Sequence, residues 1–413
     1  MPILIYAPGS RGDVAPFTGL GVRLREAGYD VAVATYAEFG GFVRDAGLEF
    51  RSIPGDPRGI GATPEGQRWQ EGGGGPLGTL RMIKVFREHI AELNDGIFSA
   101  GAEGADLVLS NSMAVFTAYH VAQGLRVPLI ATPLQPWLPT ADSAPDMLVP
   151  FPLGPWGNRA VGRISLLTGE QVMNKGVAAE RARLGLPKSG LGALTTSVMR
   201  RELPVINGFS PVVAPKLSDW TDAEDGVGFW WPASRPDWAP PAALSDFLAA
   251  GPPPVYIGFG SREFSDPAKL NDLVAHAIKL AGVRAVVQAG WAGLDLNSDD
   301  VMTIGEAPHE WLFPRMAALV HHCGAGTTGA GLRAGVPAVG VPAITDQPFW
   351  AKRMEAIGAS PGWVPFNELS AERLAELIKA APRHAARTRE LSALVRAEDG
   401  AGEVVRRVSR LLG

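Results

Sequence analysis

Cysteine is almost missing from this chain of 413 residues. Cys323 is the only one, so no internal disulfide can form, and a reducing cytoplasm is the expected compartment. No run of about 18 apolar residues occurs, so no membrane span is expected. The opening Met1-Pro2-Ile3-Leu4-Ile5-Tyr6-Ala7 has neither the basic lead-in nor the long apolar core of a signal peptide. An excess of either charge is missing too: 38 Lys and Arg stand against 42 Asp and Glu, a formal net charge of -4. Nucleic acid and anionic membranes therefore meet no global attraction, and no nucleic-acid partner is expected. A local basic patch and peripheral membrane contact stay open.

What is present reads as globular, with 46% hydrophobic and 19% charged residues. The length exceeds one ordinary core and implies two or three domains. Glycine (50) and proline (35) are high together, which points to many tight strand-to-helix turns and some mobile loops. The first half repeats one theme. Ile3-Tyr6 is a short apolar run ending at Pro8-Gly9. An amphipathic helix is predicted over Val14-Ala27, with Phe17, Leu20, Leu24 and Ala27 on one face and Gly28 as the stop. Strand Val31-Ala34, helix Ala37-Ala46 and strand Leu48-Ile53 follow, with Leu107-Leu109 and Pro128-Ala131 as later strands. That rhythm builds a parallel sheet covered by helices.

Two segments break the theme. Pro54-Gly78 holds four consecutive glycines, Gly72 to Gly75, and no hydrophobic period. It reads as a surface loop, or as a flexible lid or acceptor loop. Pro133-Pro155 is irregular and carries Trp137 and Phe151 beyond a sheet strand, where open α/β sheets bind ligands. Asn207-Pro215 reads as the last strand of a first domain, 1–218, and the charged Ser218-Asp225 as a linker. The theme then restarts in a second domain, 226–413. Its expected strands are Val227-Trp231, Val255-Phe259, Ala285-Gln288, Val301-Ile304, Ala318-His321 and Val336-Val341, with a helix over Pro267-Ala281. A last helix, Glu403-Leu412, has one apolar side and could pack back on the first domain. Two α/β domains in tandem are expected to face a central cleft, a common place for a substrate with two halves.

The segment Leu319-Val320-His321-His322-Cys323-Gly324-Ala325-Gly326-Thr327-Thr328-Gly329-Ala330 carries the most chemistry. A strand runs into a glycine turn and a short helix. Glycines let backbone approach a ligand, and free N–H groups at a helix start suit phosphate oxygens. His322 adds a hydrogen bond or a positive charge. Gly324, Gly326 and Gly329 also match G-x-G-x-x-G, with Asp346 near the expected acidic position, so a nicotinamide dehydrogenase is a rival. Against it, the helix is short, the match lies late in the chain, and Asp346 stands beyond the strand end at Pro342. Asp346 and Gln347 sit past the strand Val336-Pro342. A carboxylate beside an amide accepts from and donates to neighbouring hydroxyls, as a pyranose requires; an ordinary helix N-cap is the bland alternative.

At these residues the chain resembles the nucleotide-sugar glycosyltransferases of family 1, with the GT-B fold of two Rossmann-like, doubly wound α/β domains. Within them it is most similar to the bacterial sterol glucosyltransferase-like and antibiotic-type branch. The carrying segments are Gly9-Ser10-Arg11-Gly12-Asp13-Val14, Val255 to Ser261, Ala307-Pro308-His309-Glu310-Trp311-Leu312-Phe313, His321 to Thr328, and Gly335-Val336-Pro337 through Asp346-Gln347-Pro348-Phe349-Trp350. The resemblance implies that the first domain binds the acceptor and the second the donor. It places Ser261 near the donor diphosphate, the Ala307 backbone at the base of the nucleotide, and His309 close by. His322, Gly324, Gly326, Thr327 and Thr328 would hold the phosphates, and Asp346 and Gln347 the sugar. Ser10, Arg11 and Gly12 would border the donor, with Arg11 orienting Asp13 or meeting the diphosphate. Asp13 matches the acid that this branch uses as catalytic base. Plant relatives carry a histidine after the first strand, and none occurs in this N-terminal region, which favours the acidic-base subgroup.

Asp13 also reads as a plain helix N-cap. A helix start lowers a carboxylate pKa and an apolar acceptor pocket raises it, so residue order alone leaves its basicity open. His89, His120, His276 and His384 lie in helical patterns and read as structural. His321, His322 and Cys323 lack further zinc ligands, so no metal site is expected. Trp137 and Phe151, with Trp156, are candidates to line an acceptor pocket, or are core. The implied activity is inverting, metal-independent transfer of a sugar, glucose from UDP-glucose, to a lipophilic sterol, polyketide or phenolic acceptor, as in secondary metabolism. No tightly bound cofactor is implied, only the UDP-sugar as co-substrate, with a monomer or weak dimer in the cytoplasm. A noncatalytic auxiliary protein of the same fold is a third class, disfavoured by an intact Asp13, His322 and Asp346.

Overall fold

The computed structural model describes residues 2–72, 75–145, 148–149, 151, 153–174, 176–190, 192–235 and 237–413. They form two compact units. The first comprises residues 1–57, 80–234 and 399–413; the second comprises 58–79 and 235–398.

In the first unit five parallel strands, β1 (Pro2–Tyr6), β2 (Asp30–Tyr36), β3 (Glu49–Ile53), β4 (Leu107–Ser110) and β5 (Leu129–Ala131), lie in the order β3-β2-β1-β4-β5. Ile3, Leu4, Ile5 and Tyr6 of the central strand have no exposed surface. A run buried on both sides, rather than an alternating one, is what a parallel sheet with helices on both faces selects. The buried Tyr6 hydroxyl donates to Ile97 O at 2.7 Å, which satisfies its one polar atom. The second unit repeats the plan with β6 (Val255–Gly258), β7 (Ala285–Gln288), β8 (Val301–Ile304), β9 (Ala318–His321) and β10 (Ala338–Gly340), in the order β10-β9-β6-β7-β8. Val255, Ile257, Val287, Val320 and Val339 build its core with the helices Pro267–Ala281 and Ala371–Ala380.

Three expectations from the sequence need correction. Asn207-Pro215 and Val227-Trp231 join neither sheet: they meet each other through Asn207↔Gly226 and run over helices instead. Pro211 and Pro215 lack the N–H that a ladder needs, and Trp230 turns to pack edge-on against Phe17 at 5.5 Å. Ser218-Asp225 is tied into the first unit rather than a free linker, because the Asp219 carboxylate accepts from Thr140 Oγ1, Ala141 N and Arg159 Nε. Pro54-Gly78 is largely helical, with Pro57–Ala62, Pro64–Gln70 and the start of Gly75–Ala102. Thr63 caps the second of these by accepting from Gly66 N at 3.1 Å, with Pro64 at the first helical position. Two of its four consecutive glycines, Gly73 and Gly74, lie outside the described residues. The C-terminal helix Gly400–Leu412 belongs to the first unit, where Tyr29 Oη bonds Ser409 Oγ at 3.1 Å and Arg407 Nη1 donates to Ala223 O at 2.8 Å.

Residues 226–234 fit closely against the helix Arg11–Glu26. A Cβ on Gly19 would fall 1.8 Å from Trp231 O, a backbone atom that cannot step aside. Gly19→Ala is therefore expected to destabilise the protein by about 1–3 kcal/mol through overpacking. Gly41→Ala, whose Cβ meets nothing within 4 Å, is expected to leave thermal unfolding unchanged or shift it slightly upward. Equal unfolding temperatures for the two variants would contradict the close approach.

Candidate functional site

In each unit the strand order reverses beside the central strand, between β1 and β4 and between β6 and β9. Loops leaving the carboxyl ends at such a point diverge and open a crevice. Ser10 to Asp13 follow β1 there, Ser261 follows β6 and His322 to Thr328 follow β9, while the other candidate residues follow β5, β8 and β10.

In the first unit Gly9 turns the chain at φ +138°, and a Cβ there would stand 2.4 Å from Asp13 Oδ2. A glycine is needed both for the backbone and for the room. Ser10 caps the helix Arg11–Glu26, and Asp13 is its third residue rather than the cap itself. Asp13 Oδ2 accepts from Ser10 N at 2.8 Å and from Ser10 Oγ at 3.0 Å, the carboxylate half of a capping box. Asn111, past β4, donates from Nδ2 to Pro8 O at 2.8 Å and accepts from Met113 N and Ala114 N. It joins the two loops at the reversal. Burial, then the charges of Asp13, Glu38 and Glu92, push the Tyr36 hydroxyl up to about 12. Arg11 stacks over Phe42 at 4.7 Å, and Gly12 is exposed. Trp137 is half-buried, edge-on to Phe116 at 6.3 Å. Phe151 is 61% and Trp156 84% exposed, so these aromatics do not form one buried cluster.

In the second unit β9 leads to His321, His322 and Cys323, and the helix Ala325–Ala334 begins after Gly324. Cys323 holds a left-handed φ of +63°, a strained state for a residue with a side chain. Gly324 is the helix N-cap, so the N–H groups of Ala325, Gly326 and Thr327 have no helical acceptor, and Thr328 N is the first to bond back, to Gly324 O at 2.9 Å. The His322 ring is flanked by two glycines. A Cβ on Gly260 would come within 2.7 Å of its Cε1, and one on Gly324 within 2.6 Å of its Nε2. Ser261 follows Gly260 directly. His321 Nδ1 accepts from Cys323 N at 3.0 Å, which leaves the proton of the neutral ring on Nε2. Buried polar atoms without a partner among the described residues gather here: His321 Nε2, His322 Nδ1 and Thr328 Oγ1, with Nε and Nη1 of Arg262. Burial first, then His321, Arg262 and His309, push the His322 pKa well below the ordinary histidine value. Its imidazole is thus neutral, which removes the positive charge expected of it and leaves the hydrogen bond. Cys323 is buried and its thiol is pushed up to about 12, so it is inert.

Past β10, Thr345 takes φ +54° and Asp346 stands at the N-cap position of the helix Gln347–Ala356. Its carboxylate makes no cap bond. Oδ2 accepts from Trp350 Nε1 at 2.7 Å and Oδ1 from Thr345 Oγ1 at 3.0 Å, and burial raises its pKa. Gln347 is buried, and its Oε1 accepts from Ala343 N at 3.0 Å and Ile344 N at 3.3 Å, which leaves Nε2 as the donating end. His309 stacks on Phe313 at 4.1 Å, and Ala307 lines a cavity of about 230 Å³ with Trp238, Leu244, Met302 and Ile304. The structure thus gathers Ser261, His322, Gly324 and Thr328 around one ring and turn, while Ala307 and His309 follow β8. Sequence reasoning missed Arg262 and Asn111. Asn111 directly follows a buried strand and Arg262 follows one after a short turn, and that position was the available signal. Among the described residues no group of three His, Cys, Asp or Glu side chains could hold a metal ion, and no helix is long and apolar enough to cross a membrane.

The buried imidazoles link stability to pH. Burial is the first cause in both His120, held at about 4, and His321, at about 3, against an ordinary value of 6.5. As pH falls below 6.5 the unfolded chain takes up these protons first. Stability is therefore full above that pH and declines toward pH 4, by about 1.4 kcal/mol per pH unit for each such group. Denaturant unfolding at pH 7, 6 and 5 is expected to show this slope, reduced by about one proton in His321→Asn. A slope identical in that variant and the parent would show that His321 titrates normally in the fold.

Family models match both ends of the chain: the glycosyltransferase family 28 N-terminal domain over residues 3–141, and the erythromycin biosynthesis protein CIII-like C-terminal domain over 285–411. Where the motifs resemble family 1, the matched N-terminal model carries the number of family 28. A sterol 3-beta-glucosyltransferase of Arabidopsis thaliana is 34% identical over 92% of this chain and 60% of its own length. The chain spans only about a third of a similar enzyme from Eremothecium gossypii, at 32% identity and 96% coverage of this chain. The O-mycaminosyltylonolide 6-deoxyallosyltransferase of Streptomyces fradiae is 33% identical, over 97% of this chain and 95% of that one. Among solved structures, the glycotransferase of kitacinnamycin superposes with a TM-score of 0.70 at 18% identity, over 100% of this chain and 99% of that one. The chain belongs to the GT-B glycosyltransferases, in the group related to the sterol glucosyltransferases and the antibiotic glycosyltransferases.

Proposed function

We propose that this chain is an inverting, metal-independent glycosyltransferase that moves glucose from UDP-glucose to a hydroxyl of a lipophilic small molecule, a sterol, a macrolide-type polyketide or a phenol. The observation that carries the reading is the set of unpartnered polar atoms on His322 and Thr328 beside the free N–H groups of the Ala325–Ala334 helix. Buried polar atoms without partners cost stability, about 1–3 kcal/mol each, and a diphosphate would satisfy them. Asp346 and Gln347 would take the sugar hydroxyls, and Ala307 and His309 the base. Relatives that act on a sterol and on a macrolide support the lipophilic acceptor.

In the proposed reaction Asp13 accepts the proton of the acceptor hydroxyl as its oxygen bonds to the anomeric carbon. The bond from that carbon to the diphosphate oxygen breaks, and the nucleoside diphosphate leaves from the opposite face. An α-linked donor then gives a β-glycoside. The helix N–H groups, Thr327 and the neutral His322 meet the leaving charge by hydrogen bonds. Trp137 and Phe151 are proposed acceptor contacts, and Ser10, Arg11 and Gly12 donor contacts.

The test uses the purified chain with UDP-glucose and TDP-glucose, EDTA present, and a panel of sterol, polyketide and phenolic acceptors. Nucleoside diphosphate release that rises with one acceptor, with a product heavier by one hexose, is the expected result. Saturable NAD binding with no diphosphate release would overturn it. Asp13→Asn keeps an acceptor for Ser10 N, so the helix start survives, and transfer is expected to fall by roughly 10²–10⁴-fold. Donor affinity in that variant is expected to hold. Unchanged turnover would remove Asp13 from the chemistry.

A further inference from the structure

Residues 58–72 precede most of the first unit in the chain but belong to the second. They form a strap of two short helices hinged at the Thr63 cap. The strap binds four consecutive residues of the loop that follows Ser261, Arg262 to Ser265. Gln70 O accepts from Arg262 Nη2, and Gln70 Oε1 accepts from Glu263 N at 2.9 Å. Gln67 Nε2 donates to Phe264 O at 3.4 Å. Glu71 Oε1 accepts from Ser265 N at 2.7 Å and Ser265 Oγ at 2.6 Å. Arg58 pairs with Glu263 at 2.8 Å and lies over Trp291.

Arg262 is the central member. It is 3% exposed, and its guanidinium stands 4.8 Å from the ring centres of Phe264 and Phe366. No carboxylate pairs with it among the described residues, and the Gln70 carbonyl is its one hydrogen-bond acceptor. Besides the two rings and the charge of Glu71, which lies on the same strap, the Gln70 carbonyl is what compensates this buried cation, so its place depends in part on the strap. Ser261 and Gly260 directly precede Arg262, and Gly260 approaches the His322 ring so closely that a Cβ on it would fall 2.7 Å from Cε1. A continuous path of contact runs from Gln70 through Arg262 and Glu263 to the Gly260-Ser261 turn and His322.

We propose that Gln70 is a positioning residue of the donor site: through Arg262 and Glu263 it sets the Gly260-Ser261 turn against His322, and so governs affinity for a nucleoside diphosphate. This rests on the donor reading above. It assigns the strap, which reads in the sequence as a lid or acceptor loop, to the donor side of the reaction. Gln70 is itself buried, 7% exposed, with Nε2 donated to Gly61 O at 3.2 Å, so its side chain is fixed before any ligand arrives.

The experiment is calorimetric titration of UDP and TDP into the full chain and three variants, with thermal unfolding of each. Gln70→Leu removes the acceptor for Glu263 N and is expected to weaken diphosphate binding about tenfold. Gln70→Glu keeps that acceptor but loses the bond to Gly61 O, and is expected to bind diphosphate about threefold more tightly than Gln70→Leu. Glu71→Ala loses the two Ser265 bonds at the exposed edge, and a drop of about threefold is expected. It carries the test alone if Gln70→Leu does not fold. Parent-like affinity in Gln70→Leu and Glu71→Ala would overturn the proposal and leave the donor reading standing. So would a Gln70→Glu variant as weak as Gln70→Leu. A parent chain that binds neither diphosphate would remove both.

Discussion

Parallel pairing is the constraint on which everything else here depends. It sends the carboxyl ends of all five strands in a unit to one edge, and each strand must be followed by a crossover before the next can pair. Where the order reverses, two crossovers leave in opposite directions and their loops cannot cover each other. In the first unit these are the loops after β1 and β4, carrying Asp13 and Asn111. In the second they follow β6 and β9 and carry Ser261 and His322. Glycines cluster at these loops for steric reasons. Gly9 makes room for the Asp13 carboxylate, and Gly260 and Gly324 make room for the His322 ring.

The edge of the second sheet gives up stability that the rest of the unit does not. Cys323 and Thr345 hold left-handed backbone just ahead of the two motifs. His321, His322, Thr328 and Arg262 keep buried polar atoms without partners there. Each is unfavourable alone, and together they set this edge apart as the place where the proposed donor site would recover that cost on binding. The neutral state of both histidines belongs to the same design. A charged imidazole at 0% exposure, like His321, would need a counter-ion, whereas a neutral one offers a directed N–H.

Much of this was legible in the residues. All ten strands found among the described residues were expected within about two residues at either end, because a strand buried on both faces is a short apolar run between breakers, and that pattern needs no tertiary context; β10 is shorter than the run Val336-Val341, since Pro337 withholds a donor at its start. The glycine-rich turn after β9 was legible for the same local reason. Asn207-Trp231 misled because apolar content resembles a strand whether the partner is a sheet or a helix face. Residues 58–72 misled because their glycines hide a helix whose stability comes from the Thr63-Pro64 cap and from docking onto residues some 200 positions later. The neutral form of His322 and the buried, unpaired state of Arg262 could not be read at all, since both follow from depth and neighbours.

The orientation of Gln347 shows how a fold can make an ambiguous side chain specific. An amide can accept or donate, so Asp346-Gln347 as letters permit several hydrogen-bond patterns. Here two backbone N–H groups, from Ala343 and Ile344, claim Oε1, which fixes which end is oxygen. Only Nε2 remains, a donor. Asp346 is treated in the opposite way. Trp350 Nε1 and Thr345 Oγ1 each take one lone pair, one on either oxygen, and the rest stay available as acceptors. A pure donor beside a pure acceptor matches hydroxyl groups, each of which must both give and receive. A phosphate, which only accepts, would be repelled by Asp346. In the proposed donor site the pair would therefore meet the sugar end of a nucleotide sugar rather than its charged end, which is the proposed division between the loop after β10 and the turn after β9.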